Sequence, residues 1–349
     1  MRVCSRVLMA VCLGGCAAAS PGAEKSADKA GGPALSDLPA SGKRVVASKG
    51  LTPDFAAEAD AVMASIETWR GLPFLTDLVI DFVPESEAAE KLAGWYEPDT
   101  DRLVVVQSDN ARFAKGTMLH EMVHALQDQH FDLSAVHLTA TDADADRALA
   151  GLIEGEAMLA VSELMDYDFE RHAVIPPKGE LDEVRFAKVF HYGAGLRFVR
   201  ALRDAGGWGQ VDYAYRHPPT TSAQIYHADR YLAGVVAEVP SIDLLDDPSR
   251  WRQDTERLTG EFALRIVLSR DVATRGRAVS IAGGLAGDAR FVRTEAEAMS
   301  GKGSDGAARL WLLSFVDESG AAAFLQAAGE LGMAAKLLAE NETMVRVED

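Results

Sequence analysis

The chain has 349 residues, and 53 acidic side chains outnumber 35 basic ones, for a net charge of −18. That balance argues against nucleic acid as a partner, because phosphate contact needs a basic face. Its three cysteines, Cys4, Cys12 and Cys16, all lie at the N-terminus, so the folded part has no thiol to offer a metal, a disulfide or a nucleophilic reaction.

The N-terminus reads as an export signal. Arg2 and Arg6 precede a short apolar run, Val7 to Leu13, which is too short to span a bilayer. Leu13-Gly14-Gly15-Cys16 looks like a lipoprotein lipobox, so a signal peptide over 1–15 and lipidation of Cys16 are expected. Residues 16–49 are rich in Ala, Ser, Gly, Pro and Lys and are expected to be a flexible tether. The localisation that follows is export, with a lipid anchor on a bacterial membrane in the cell envelope.

Beyond the tether the spacing of apolar residues predicts a helix over Pro53 to Arg70 and a strand over Leu78 to Val83. Gly94 to Tyr96 and Leu103 to Gln107 read as a hairpin or two edge strands, split by Pro98-Asp99-Thr100-Asp101. The second of these runs is a candidate edge strand for pairing with an extended peptide. A helix starting between Ala111 and Thr117 follows, then a long helix from Asp142 to about Asp166. Residues 167–182 are loop-like. A helix over Phe190 to Ala205 is stopped by Gly206-Gly207. The style changes after Pro240, with a connection over 241–256. A helix from Leu258, strand-like runs such as Leu310 to Phe315, and a helix near Ser319 to Leu331 follow. The expected class is α+β: a small β-sheet with a mainly helical, zincin-like core over 50–250, and a C-terminal α/β subdomain over 251–349.

The chemistry is concentrated in "TMLHEMVHALQDQHF", residues 117–131. On a helix, Met118, Leu119, Met122, Val123, Ala125 and Leu126 share one side, while His120, His124, Gln127 and Asp128 share the other. His120 and His124 are i and i+4, so both imidazoles reach one place, as two zinc ligands must. Glu121 sits beside the first ligand and is placed to act as a general base on water. The plainer reading is a solvated polar face carrying two chance histidines.

A third ligand is needed. His130 follows His124 by six residues, the metzincin spacing, but Gln127 stands where that pattern needs Gly to turn the chain. In a continuous helix His130 points about 120° away from His124. Glu154, in "ALAGLIEGEAMLAV" (148–161), lies on a stripe with Ala150, Ala157, Met158, Val161 and Met165. A carboxylate there is costly to bury unless a metal or a cation compensates it. A salt bridge to Arg147 is the alternative. Glu156 shares another side with Glu163 and reads as solvated.

HExxH followed by Glu154-Gly155-Glu156-Ala157 resembles the gluzincin zinc metallopeptidases. "HEMVHALQDQHFDL", "LIEGEA", "GGWGQVDYAYRHPPTTSAQIYHADRYL" and "WRGLPF" look like a group of bacterial neutral zinc metallopeptidases, many of them exported or lipoproteins. The likeness covers residues 60 to 235. "GLAGD" (284–288) departs from it, with Leu285 where such chains tend to carry Trp. The resemblance implies one zinc ion held by His120, His124 and Glu154, with Glu121 as general base.

Asp128, one turn past His124, is a candidate to orient a ligand imidazole from behind, or else a solvated helix-end residue. Zinc peptidases often add a donor for the tetrahedral oxyanion. His227 is the candidate here, with His217, Tyr215 and Tyr226 near it in sequence and Tyr192 as an outsider. The functional expectation is a membrane-tethered zinc peptidase acting on peptide or protein substrates. The alternatives are a non-catalytic binding or assembly lipoprotein with a structural metal or none, and a zinc amidase acting on cell-wall peptides. No Walker loop, G-x-S-x-G elbow or dinucleotide fingerprint is present in the sequence.

Overall fold

The structure, a computed structural model, describes residues 9–10, 42–50, 53–87, 92–98, 100–167, 183–245, 247–294, 308–338 and 341–348. Apart from residues 9–10 and 42–49, the expected signal peptide, Cys16 and the tether lie outside these, as does the expected loop beyond residue 167. The class is α+β. The chain divides into two compact units: residues 1–136 with 156–169, and residues 137–155 with 170–349. The boundary expected near residue 250 falls inside the second unit. Among the described residues no helix is long and apolar enough to cross a membrane.

The first unit holds a five-stranded sheet. Its strands are β1 (Met9–Ala10), β2 (Val45–Lys49), β3 (Leu78–Val83), β4 (Gly94–Glu97) and β5 (Arg102–Val106), in the order β1-β4-β5-β3-β2. β2 and β5 run parallel to β3, and β4 runs antiparallel to β5 and β1. Two expectations are corrected here. Val45–Lys49, expected as the end of the tether, is a strand, because Val45 and Val46 give it apolar positions to lay beside Leu78 and Val79. β5 pairs antiparallel with β4, as in the hairpin reading, and lies inside the sheet between β3 and β4, so it is not the edge strand considered for peptide pairing. Its four consecutive buried residues, Leu103 to Val106, suit an interior strand, which is covered on both faces.

Helix α1 (Pro53–Arg70) and helix α2 (Ala111–Phe131) pack on this sheet. α2 begins at Asn110, whose side chain accepts a hydrogen bond from the Phe113 N–H. It ends at Asp132, which takes the left-handed conformation with φ 53° and closes a bond to the Asp128 carbonyl. Gln127 thus continues the helix, as its propensity suggests. Met118, Leu119, Met122, Val123 and Leu126 face the core formed by α1, β3 and β5. Burying each contributes about 1.5–3 kcal/mol.

After α3 (Leu133–His137), α4 (Ala143–Leu164) starts at Asp142, whose Oδ1 accepts from the Asp144 and Ala145 N–H groups. The second unit continues with α5 (Glu183–Lys188), a π-helical turn over Val189–Ala194 and α6 (Gly195–Arg216). α6 breaks at Gly206-Gly207, where Gly207 has φ 66°, and then resumes, so the two glycines kink the helix rather than end it. Short helices α7 (Ser222–Tyr226) and α8 (Ala228–Leu232) follow. The C-terminal part has α9 (Gly260–Ser269) and a second five-stranded sheet, β6 (Trp251–Gln253), β7 (Leu285–Arg293), β8 (Arg309–Phe315), β9 (Ala334–Leu338) and β10 (Asn341–Glu348), ordered β6-β7-β8-β10-β9. Every pairing in it is antiparallel, so this part is α+β in class rather than α/β. Helix α10 (Glu318–Glu330) packs on the sheet through Ala321, Phe324, Ala327 and Ala328.

Candidate metal centre

α2 is buried on all sides from Gly116 to Gln127. His120 is 1 % exposed, and Glu121 and His124 are 0 % exposed. The reading of this helix as a solvated polar face is therefore excluded. A buried imidazole pair needs polar company, and the i, i+4 spacing supplies part of it. The Nε2 atoms of His120 and His124 stand 3.0 Å apart, with the rings edge to face.

Glu154 completes the group. One ligand atom from each of His120, His124 and Glu154 lies within 4.8 Å of the other two, and all three residues are buried. Two nitrogens on one tetrahedral zinc lie about 3.3 Å apart at ordinary bond lengths. The observed separations fit a metal ion, and a two-imidazole, one-carboxylate set is a donor chemistry that transition metals take. α4 carries Glu154 to this place. It is one unbroken helix, although the division between the units falls between Gly155 and Glu156. Its later turns bring Ala157, Ala160 and Val161 into the core that α2 lines, and Glu154 sits less than one turn before Ala157.

Glu121 follows His120 directly and lies close to β4. Gly94 makes that approach possible: a Cβ there would stand 2.6 Å from Thr117 Cγ2, 2.8 Å from the Val104 carbonyl and 3.4 Å from Glu121 Cγ.

Other expected residues fall elsewhere. His130 hydrogen-bonds the Pro73 carbonyl at 2.8 Å and is not in the metal group, since the unbroken helix turns it away from His124. Asp128 does not orient a ligand through either oxygen bonded here. Its carboxylate takes the Tyr96 hydroxyl at 3.0 Å and the Leu133 N–H at 2.8 Å, fastening the end of α2, and burial pushes its pKa up. The side chain at the Nδ1 of His124 is Gln127, at 2.8 Å. In the sequence it shares the helix face of His124, three residues on. Glu156 is 1 % exposed rather than solvated, and Arg70 in α1 is its partner. Arg147 places its guanidinium over the Phe262 ring, 4.8 Å from the centroid.

His227 is bound through Nε2 to the buried carboxylate of Glu261, at 2.9 and 3.0 Å, and Glu261 also takes Arg265. His227 lies outside the metal group, and the nitrogen left for another partner is Nδ1. Of its neighbours in sequence, Tyr215 is buried, Tyr226 lies under the Arg265 guanidinium, and His217 stacks on Tyr213. Tyr192 belongs to the π-helical turn.

Comparison of the chain with protein-family models, with curated proteins and with solved structures finds no match.

Proposed function

We propose that the chain is a zinc-dependent peptidase, exported and tethered to a membrane by a lipid on Cys16. The observation that carries this reading is the buried convergence of His120, His124 and Glu154, with a carboxylate, Glu121, one residue past the first histidine. His120 and His124 would hold the metal through Nε2 and Glu154 through a carboxylate oxygen. Zinc, when bound, supplies the Lewis acidity that activates water and polarises a scissile carbonyl. Glu121 flanks the ligands, takes the proton from the attacking water and returns it to the leaving amine. The zincin-like character of the core is part of this proposal, as is the choice of zinc over other metals.

Turnover of a quenched fluorescent peptide library tests the proposal. Wild type is expected to cleave, and a chelator to stop cleavage. Glu121→Gln is expected to keep its metal and lose about 100-fold or more in rate, the range for a general base. Undiminished turnover in Glu121→Gln would refute its role.

The same burial supports a second reading, a binding lipoprotein that keeps a structural metal. Glu121 and His124 at 0 % exposure suit a closed centre as well as a dry active site. A metal-loaded wild type that cleaves nothing in the library would favour it.

A further inference from the structure

We propose that Arg70, Glu156 and Gln127 form a buried positioning relay that fixes the tautomer of His124, leaving its Nε2 lone pair for a metal. The proposal rests on the metal reading of the site.

Arg70 ends α1 and Glu156 lies on α4, 86 residues later. Both are 1 % exposed, and Arg70 Nε meets Glu156 Oε1 at 2.5 Å. A buried ion pair is a weak device for stability alone, since apolar residues of the same volume often serve as well. This pair does something apolar residues cannot do. Arginine keeps its charge at any ordinary pH. Glu156 is the acceptor of this pair, and a carboxylate oxygen accepts hydrogen bonds.

The group that faces the other oxygen of Glu156 must therefore donate. That group is the Gln127 amide nitrogen, 3.3 Å from Oε2. An amide with its NH2 committed to one side presents its oxygen to the other. Gln127 Oε1 lies 2.8 Å from His124 Nδ1. An acceptor opposite Nδ1 requires the proton to be on Nδ1. In the neutral ring the lone pair is then on Nε2, the nitrogen 3.0 Å from His120 Nε2. A flipped Gln127 would set oxygen against carboxylate and would put the proton on Nε2, where it blocks a metal. The polarity of the chain, set by Arg70, thus selects the tautomer that can ligate. Partners behind a ligand histidine are worth about 10–100-fold in metal affinity.

Two measurements test the relay. The first is the 15N spectrum of the neutral His124 ring in metal-free wild type. Protonated Nδ1 is expected, and a ring protonated mainly on Nε2 would overturn the relay. This readout stands even if wild type binds no zinc, an outcome that would sink the zinc reading alone. The second is zinc affinity, by competition with a chelator, in Gln127→Met, which keeps volume and leaves the Arg70–Glu156 pair in place. A fall of about 10–100-fold is expected. Wild-type affinity in that variant would overturn the proposal. The doubly substituted Arg70→Met, Glu156→Met chain removes the ion pair without stranding a charge. It is expected to fold and to lose affinity in the same way, and wild-type affinity there would limit the relay to Gln127 and contradict the part given to Arg70.

Discussion

His120 Nε2 and His124 Nε2 face each other at 3.0 Å inside the protein. Two bare lone pairs at that distance repel, so a proton or a metal ion must stand between them. A metal that binds only the folded chain stabilises it by mass action. Zinc added to the stripped protein is therefore expected to raise the unfolding temperature. At a concentration a hundredfold above the dissociation constant, the gain is about 2.7 kcal/mol. His120→Ala should respond far less. Equal responses in the two proteins, measured by calorimetry, would mean that zinc binds elsewhere.

The approach of α6 to α4 depends on glycine. A Cβ on Gly195 would run into the Gly151 carbonyl oxygen and stand 3.1 Å from Gly155 Cα. Those contacts are backbone and have little room to give. Gly195→Ala is expected to cost about 1–3 kcal/mol, the range for overpacking. Gly209→Ala on the same helix meets nothing within 4 Å and is expected to be neutral or to stabilise by about 0.5–1 kcal/mol. Urea unfolding of the two variants checks the contrast, and equal stabilities would contradict the packing described.

Asp288 couples the second unit to pH. It is buried, and it accepts the Gly260 N–H at 2.8 Å and the Trp311 indole N–H at 2.6 Å. Burial pushes its carboxyl up to about 6, against both hydrogen bonds. The folded protein therefore binds this proton more tightly than the unfolded chain, where the group titrates at an ordinary 3.8. The stabilisation from this group is full below the unfolded value and is lost as pH rises to about 6, by on the order of 3 kcal/mol. Asp288→Asn cannot ionise and loses one acceptor. It should cost about 1 kcal/mol at low pH and show a flatter stability curve between those two values. An unchanged slope in the variant would assign the pH dependence to another group.

The parts of the site that follow from local spacing were legible in the sequence. His120, Glu121 and His124 are set by one helical turn, and Glu154 stood out as a carboxylate on an apolar stripe. The helix over Pro53–Arg70 and the strand over Leu78–Val83 were read with the bounds the structure has. Partners distant in sequence are not legible in it. Glu156 reads as solvated from the sequence because its partner, Arg70, is 86 residues away and no spacing rule links them. Gln127 and Asp128 share the face of His124, and spacing alone does not say which of the two meets its ring. Leu103 to Gln107 reads equally as a hairpin strand or an edge strand, because strand order depends on tertiary pairing, which a run such as Leu-Val-Val-Val does not encode.

Elemental analysis of the purified protein and two variants addresses the metal centre most directly. One zinc per chain is expected in wild type and in His130→Ala, whose imidazole is engaged with Pro73. Glu154→Ala should lose the ion or hold it much more weakly. A folded, metal-supplemented wild type without zinc, or zinc that survives loss of Glu154 and disappears with His130, would contradict the proposed centre.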